Sequence, residues 1–119
     1  MRTLLDANCI LRYLLDDIPE QAEQVRLAVL SGAQTKPFIL AEAVCVLSGK
    51  VYGIPRPVVR DALSAFLDDV ECDDVVTCRR ALDIFAETRL DFADCLLAAM
   101  HDIEGAEILT FDKNLKKHL

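Results

Sequence analysis

The sequence predicts an α/β fold with three layers, in which helices cover both faces of a central parallel sheet of four to five strands. Short apolar runs of strand length alternate along the chain with longer segments of helical periodicity. The apolar runs are continuous, which is typical of parallel strands buried on both faces. With 119 residues, the chain is long enough for one hydrophobic core and too short for two. We therefore expect residues 1–119 to form a single domain.

The first predicted strand covers residues 2–6, a brief apolar run that ends at Asp6. A helix follows over about residues 8–15. Asp6 stands out because a buried carboxylate is costly unless a partner or a bound cation compensates its charge.

The second helix has a recognisable start. Asp17 is predicted to be its N-cap, Pro19 lies in its first turn, and Glu20 stands three residues after the cap. Gly32 is predicted to end this helix. The apolar residues that share one face of it are Ala22, Val25, Ala28 and Val29.

The middle of the chain continues the alternation. Residues 37–40 are a strand candidate that leads into a helix over about 41–48, and residues 53–57 form a break. The next helix is marked by the apolar stripe Val59, Leu63, Phe66 and Leu67. A short strand is predicted over residues 70–72, and another helix over about 75–88.

The last third begins with Asp91, which is predicted more as a helix N-cap than as a ligand. Its helix runs through about residue 103, and Gly105 ends it. Residues 106–110 are a predicted strand, and residues 111–115 begin a closing turn or short helix.

Composition excludes several classes of protein. The five cysteines form no CxxC pair and only two histidines are present, which argues against a disulfide framework and a zinc site and favours a reducing cytoplasm. Cys45 and Cys95 are expected to be small core residues. No stretch approaches the roughly 20 apolar residues of a membrane span. The net charge of −7 makes a broad nucleic-acid surface unexpected, so contact with nucleic acid would be local or through bound cations.

Four acids are predicted at strand ends or helix starts: Asp6, Glu42, Asp94 and Asp112. The carboxyl ends of parallel strands face one edge of a sheet, so these acids can converge there. Clustered carboxylates repel one another and require a hard divalent cation, for which magnesium and manganese with oxygen ligands are suited. Asn8 and Thr110 are candidates for neutral oxygens or hydrogen bonds that support the site.

Each acid also has a structural alternative. Asp6 has the weakest one, because an acid that closes a buried strand has little structural purpose. Glu42 is expected to face the core, where a functional role is favoured over a solvated one. Asp94 is equally suited to stabilising a helix N-terminus, and Asp112 to a turn.

The segments LLDANCILRYLL, DFADCLLAA and LTFDKNL, together with Glu42, resemble the PIN-domain family. The similarity is closest to the toxin ribonucleases of the VapC type from type II toxin–antitoxin systems, and it spans residues 3–115. The resemblance implies a parallel-sheet α/β/α fold and an acidic cluster that binds Mg²⁺ or Mn²⁺. It also implies an RNA substrate, a homodimer and a cognate antitoxin.

The family's catalytic acids map by motif onto the four acids named above: Asp6, Glu42, Asp94 and Asp112. Asp6, Asp94 and Asp112 would hold one metal ion, with Glu42 either a further ligand or the group that orients the attacking water. The supporting polar positions fall on Asn8 and Thr110. Ala7 replaces a hydroxyl residue of many relatives, and Asn114 replaces an acid of some; neither change removes one of the four carboxylates.

The sequence bears on three functional hypotheses. The leading hypothesis is a metal-dependent endoribonuclease, the toxin of a toxin–antitoxin pair. The alternative is a catalytically silent module of the same fold that binds an antitoxin-like partner. A phosphorylated receiver domain is disfavoured because Asp6 is single and followed by Ala7, and because Gly49, Lys50 and Val51 stand where a central acid would be needed.

Overall fold

The computed structural model describes residues 2–119, which form seven helices and two short strands. In chain order the elements are α1 (Ala7–Leu15), α2 (Pro19–Leu30), β1 (Gln34–Thr35), α3 (Pro37–Ser48), α4 (Arg56–Asp69), β2 (Glu71–Cys72), α5 (Val75–Glu87), α6 (Phe92–Glu104) and α7 (Lys113–Lys116). All the helices that the sequence predicts are present, with ends that differ by a few residues at most.

The sheet is smaller than the sequence predicts. β1 and β2 run parallel, with Gln34 opposite Glu71 and Thr35 opposite Cys72. The predicted strand over residues 2–6 is reduced to one parallel bridge, from Leu4 to Gln34 on the other side of β1. Within the described residues, a sheet of four to five strands is therefore not confirmed.

The strand predicted over residues 106–110 is absent from the described structure, where these residues form no regular element. Leu109 and Phe111 each keep 88% of their surface exposed. The prediction failed because a β-prone run becomes a strand only when it pairs with a neighbouring strand, and this run makes no such pairing, although Ile108 packs against the core.

The prediction of a strand over residues 37–40 is wrong, because these residues form the first turn of α3. Pro37 is the first helical residue, a position for which its ring is suited because the fixed φ is already helical. Ile39 and Leu40 are buried. A short apolar run fits a buried helix as well as a buried strand, so periodicity alone did not separate the two.

The predicted N-cap of α2 is also corrected. Ile18 occupies the cap position and makes no capping hydrogen bond with its side chain. Asp17 instead forms an ion pair with Arg12, whose Nη1 lies 3.0 Å from Oδ2 of the aspartate. Gly32 follows the end of α2 with φ +90°, a left-handed conformation that favours glycine.

The core lies between the helices rather than within the sheet. All four residues of the predicted α4 stripe are buried, and Phe85 of α5 meets Phe92 of α6 edge to face at 5.9 Å between ring centroids. Cys95 is buried as predicted, whereas Cys45 is exposed and the prediction for it is wrong. No helix between residues 2 and 119 has the length and apolarity that crossing a membrane requires.

Candidate active site

Asp6 lies at the junction between the Leu4 bridge and α1, as predicted, but it is exposed and has a clear structural role. Its Oδ1 accepts a hydrogen bond from the backbone N–H of Cys9 at 2.9 Å, so Asp6 is the N-cap of α1. Burial, followed by the hydrogen bond and charge of Asp6, raises the pKa of the Cys9 thiol. The expectation that Asp6 has little structural purpose is therefore wrong.

Glu42 lies on the exposed face of α3, and not toward the core as predicted. The buried face of this helix is formed by other residues, among them Ala43, Val44 and Leu47. Cys45, one turn further on, is exposed with Glu42. The Glu42 carboxylate therefore avoids the desolvation cost that a core position would have imposed.

Asp6, Asn8 and Glu42 open into one cleft of about 470 Å³. We name it the acidic cleft; its lining residues are Asp6, Ala7, Asn8, Ala41, Glu42, Cys45, Val46 and Ala93. Three elements meet here, namely the start of α1, the middle of α3 and the start of α6. The structure thus brings together two of the predicted acids and one predicted supporting residue.

Asp94 lies in the first turn of α6, directly after the Ala93 that lines the acidic cleft. Its pKa is raised by burial and then by the charges of Asp112 and Asp91. Asp112 and Asp91 are therefore each close enough to Asp94 for their charges to disfavour its ionised form. Asp91 occupies the N-cap position of α6, as predicted, although its side chain makes no capping hydrogen bond.

Asp112 is the N-cap of the short helix α7. Its Oδ1 accepts from the backbone N–H groups of Asn114 at 2.8 Å and Leu115 at 3.1 Å. Thr110 supports this arrangement, because its Oγ1 accepts from the backbone N–H of Asp112 at 3.1 Å. The turn interpretation of Asp112 is thus part of its role.

Arg56 positions the start of α6 through contacts with α5 and with the turn that follows it. Its guanidinium lies 3.7 Å from the centroid of the Phe85 ring. It donates hydrogen bonds to the carbonyl oxygens of Phe85, at 2.8 Å, and of Leu90. This holds the turn between α5 and α6, and therefore the helix that bears Asp94. A lone arginine beside a proline offers no sequence signal for such a contact.

The predicted acids fall into two groups, one around Asp6 and Glu42 and the other around Asp94 and Asp112, with Ala93 at the border between them. Among residues 2–119, no three His, Cys, Asp or Glu side chains are placed closely enough to hold a metal ion. Carboxylate oxygens are the type of ligand that Mg²⁺ and Mn²⁺ prefer. A bound cation would also relieve the repulsion between Asp94 and Asp112. The convergence of all four acids on one ion stays a prediction.

Comparison with known proteins gives one finding. A family model described as PIN domain matches residues 3–118, nearly the whole chain. No curated protein and no solved structure matches at a significant level.

The raised pKa of Asp94 predicts how metal-free stability depends on pH. The folded state binds this proton more tightly than the unfolded state, so its contribution is complete below the ordinary carboxyl pKa of about 4. The contribution is lost as the pH rises through the raised value. In EDTA, Asp94→Asn should therefore be more stable than the wild type at pH 7, with a difference that shrinks toward pH 4. Thermal midpoints measured across this range check it; a constant difference would contradict the assignment.

Proposed function

Because the chain belongs to the PIN domain family, which is generally a nuclease fold, we propose that it is a metal-dependent endoribonuclease. We further propose that it is the toxin of a type II toxin–antitoxin pair. The observation that supports the first proposal is the acidic cleft. Asp6 and Glu42 both line it, and Asp94 directly follows Ala93, another of its lining residues. The second proposal rests on the similarity to the VapC type.

Asp6, Asp94 and Asp112 would hold Mg²⁺ or Mn²⁺. When bound, the ion supplies the positive charge that stabilises the charge developing on a phosphodiester under attack. Asp6 and Asp112 are held in place by their capping hydrogen bonds, each of which uses only Oδ1 of the carboxylate. Oδ2 of each residue is not engaged in capping and stays available as a ligand.

Glu42 would orient the attacking water and accept its proton. Its position on the exposed face of α3, inside the acidic cleft, suits a group that must reach a solvent molecule. The water oxygen would then bond to phosphorus, the bond to the leaving ribose oxygen would break, and that oxygen would take up a proton from solvent water. Asn8, on the first turn of α1, would donate a hydrogen bond from its amide to a phosphate oxygen or accept one from a water.

The proposal includes a cytoplasmic location, a homodimer and a cognate antitoxin. Its support is the similarity to the VapC type together with exposed apolar side chains at the starts of α3 and α5. Phe38 and Val76 expose 65% and 61% of their surface. Their chain neighbours Pro37 and Thr77 line one cleft, so the two side chains flank the same region. A protein partner that covered Phe38 and Val76 would remove their exposed apolar surface from water.

The experiment is the cleavage of total RNA by the purified, antitoxin-free protein in Mn²⁺, with a parallel reaction in EDTA. We expect discrete fragments in Mn²⁺ and intact RNA in EDTA. Equal fragments in both would indicate a contaminating metal-independent ribonuclease and would count against the metal-dependent enzyme. Intact RNA in both, from a protein that still binds antitoxin, would favour the catalytically silent module.

A further inference from the structure

The lysines and arginines of this acidic chain differ in whether they form ion pairs. Of its 13 lysines and arginines, seven form ion pairs with carboxylates within residues 2–119: Arg2, Arg12, Arg26, Lys36, Arg60, Arg79 and Arg80. Arg56 is engaged with backbone carbonyls. The remaining five make no ion pair in that part of the chain: Lys50, Arg89, Lys113, Lys116 and Lys117. Four of these five come from only two places, the turn before α6 and the C-terminal helix α7 with the residue after it.

These two places form the walls of one cleft of about 280 Å³. We name it the cationic cleft; it is lined by Arg89, Leu90, Asn114, Lys117 and His118. No carboxylate is among these lining residues. Every polar side chain on its wall is a hydrogen-bond donor, and two of them are permanently charged at neutral pH. This composition suits an anion with several acceptor oxygens.

The walls of the cationic cleft are held by the core. Leu115 of α7 is only 1% exposed, which anchors the helix between Asn114 and Lys117. The carbonyl of Leu90 accepts from Arg56, which fixes the opposite wall. An anion bound here would therefore meet cations whose backbones are already in position, so little ordering entropy is lost on binding.

The cationic cleft directly adjoins the second group of acids. Leu90 on its wall precedes Asp91, and Asn114 follows Asp112 by two residues. Two peptide units span at most about 7 Å, so the backbone of Asp112 lies within that distance of the cationic wall. A ligand that met a cation held by the acids and also reached the cationic cleft would need more than one anionic group at short spacing.

We propose that the cationic cleft binds a backbone phosphate of single-stranded RNA next to the scissile phosphodiester. This inference rests on the proposed ribonuclease function. Arg89 would donate two hydrogen bonds from its planar guanidinium to two phosphate oxygens, and the Lys117 ammonium would add a second positive charge. Asn114 and His118 would donate hydrogen bonds to phosphate or ribose. A chain of net charge −7 repels RNA overall, so a local set of unpaired cations is what allows the strand to approach the acids.

The test is the salt dependence of binding of a fluorescently labelled, single-stranded RNA of random sequence, measured by anisotropy in EDTA so that no cleavage occurs. Each phosphate contact on a single strand contributes about 0.7 to the slope of log K against log salt. The double variant Arg89→Gln/Lys117→Gln should therefore flatten the slope by about 1.4. By the same relation, the loss of these two contacts should weaken RNA binding by about 25-fold at 0.1 M salt.

Lys50→Gln is the matched control, because Lys50 is also without an ion pair but lies after α3, outside the cationic cleft. We expect it to leave the slope unchanged. The charge-preserving double variant Arg89→Lys/Lys117→Arg should restore most of the slope. Circular dichroism checks that the Gln double variant is folded. We expect a wild-type spectrum, because both side chains are exposed and their loss should not affect the core.

The outcomes separate this inference from the proposed function. A wild-type enzyme that cuts RNA while the Gln double variant keeps the wild-type slope would overturn the phosphate site alone. Binding that depends on Arg89 and Lys117, in a protein that never cuts RNA in Mn²⁺, would support the phosphate site and overturn the ribonuclease. Wild-type protein that binds no RNA would overturn the phosphate site, and would point to an acidic protein segment as the occupant of the cationic cleft.

Discussion

Asp94→Asn is expected to abolish the manganese-dependent cleavage of RNA, with a loss of roughly a thousandfold or more, because loss of metal-derived charge stabilisation costs several kcal/mol. An amide cannot supply the anionic oxygen that a hard cation requires. The substitution preserves shape, and it removes one member of a repelling set of carboxylates, so the fold should be retained. Initial rates on a defined RNA that the wild type cuts are the measurement.

Two further variants sharpen this experiment. Asp6→Asn should lose activity to a similar degree while α1 remains capped, because Asn is as good an N-cap as Asp. Asp61→Asn is the matched control, since Asp61 is an exposed acid on α4 that pairs only with the neighbouring Arg60. It should cut at the wild-type rate. If Asp94→Asn cut RNA as fast as Asp61→Asn, the assignment of the metal ligands would be wrong.

Manganese is expected to raise the thermal midpoint of the wild-type protein by about 10 °C at a concentration about 100-fold above its dissociation constant. Binding to the folded state alone contributes about 2.7 kcal/mol under that condition, and a domain of this length shifts by about 4 °C per kcal/mol. The proposed ligands Asp6, Asp94 and Asp112 are far apart in the chain, so the unfolded state offers no comparable site. Thermal unfolding at increasing Mn²⁺ concentration measures this.

The variants again decide the interpretation of the shift. Asp6→Asn and Asp94→Asn should each lose most of it if they are ligands of the same ion. Glu42→Gln should keep the shift but lose activity if Glu42 orients the water, and should lose both if it is a ligand. If millimolar Mn²⁺ left the thermal midpoint of the wild type unchanged, this would argue against a shared metal site.

Helical periodicity was the most reliable guide to the fold. The α4 stripe and the helices over residues 75–88 and 91–103 are confirmed because a repeat over several turns specifies both the element and its buried face. Short apolar runs were the least reliable guide. Residues 37–40 became helix and residues 106–110 formed no element, because a run of four or five residues does not by itself specify its hydrogen-bond partners.

The sequence by itself determined which chemistry is available: the order and spacing of Asp6, Glu42, Asp94 and Asp112, a family match over residues 3–118, and a net charge of −7. Only the tertiary structure decided what each of those groups faces. It turned Glu42 outward, made Asp6 and Asp112 helix caps, paired seven of the cations within residues 2–119 and placed Arg89 and Lys117 in one cleft. The reason is physical, since burial, ion pairing and electrostatic repulsion depend on distances between residues far apart in the chain, and local sequence patterns do not specify those distances.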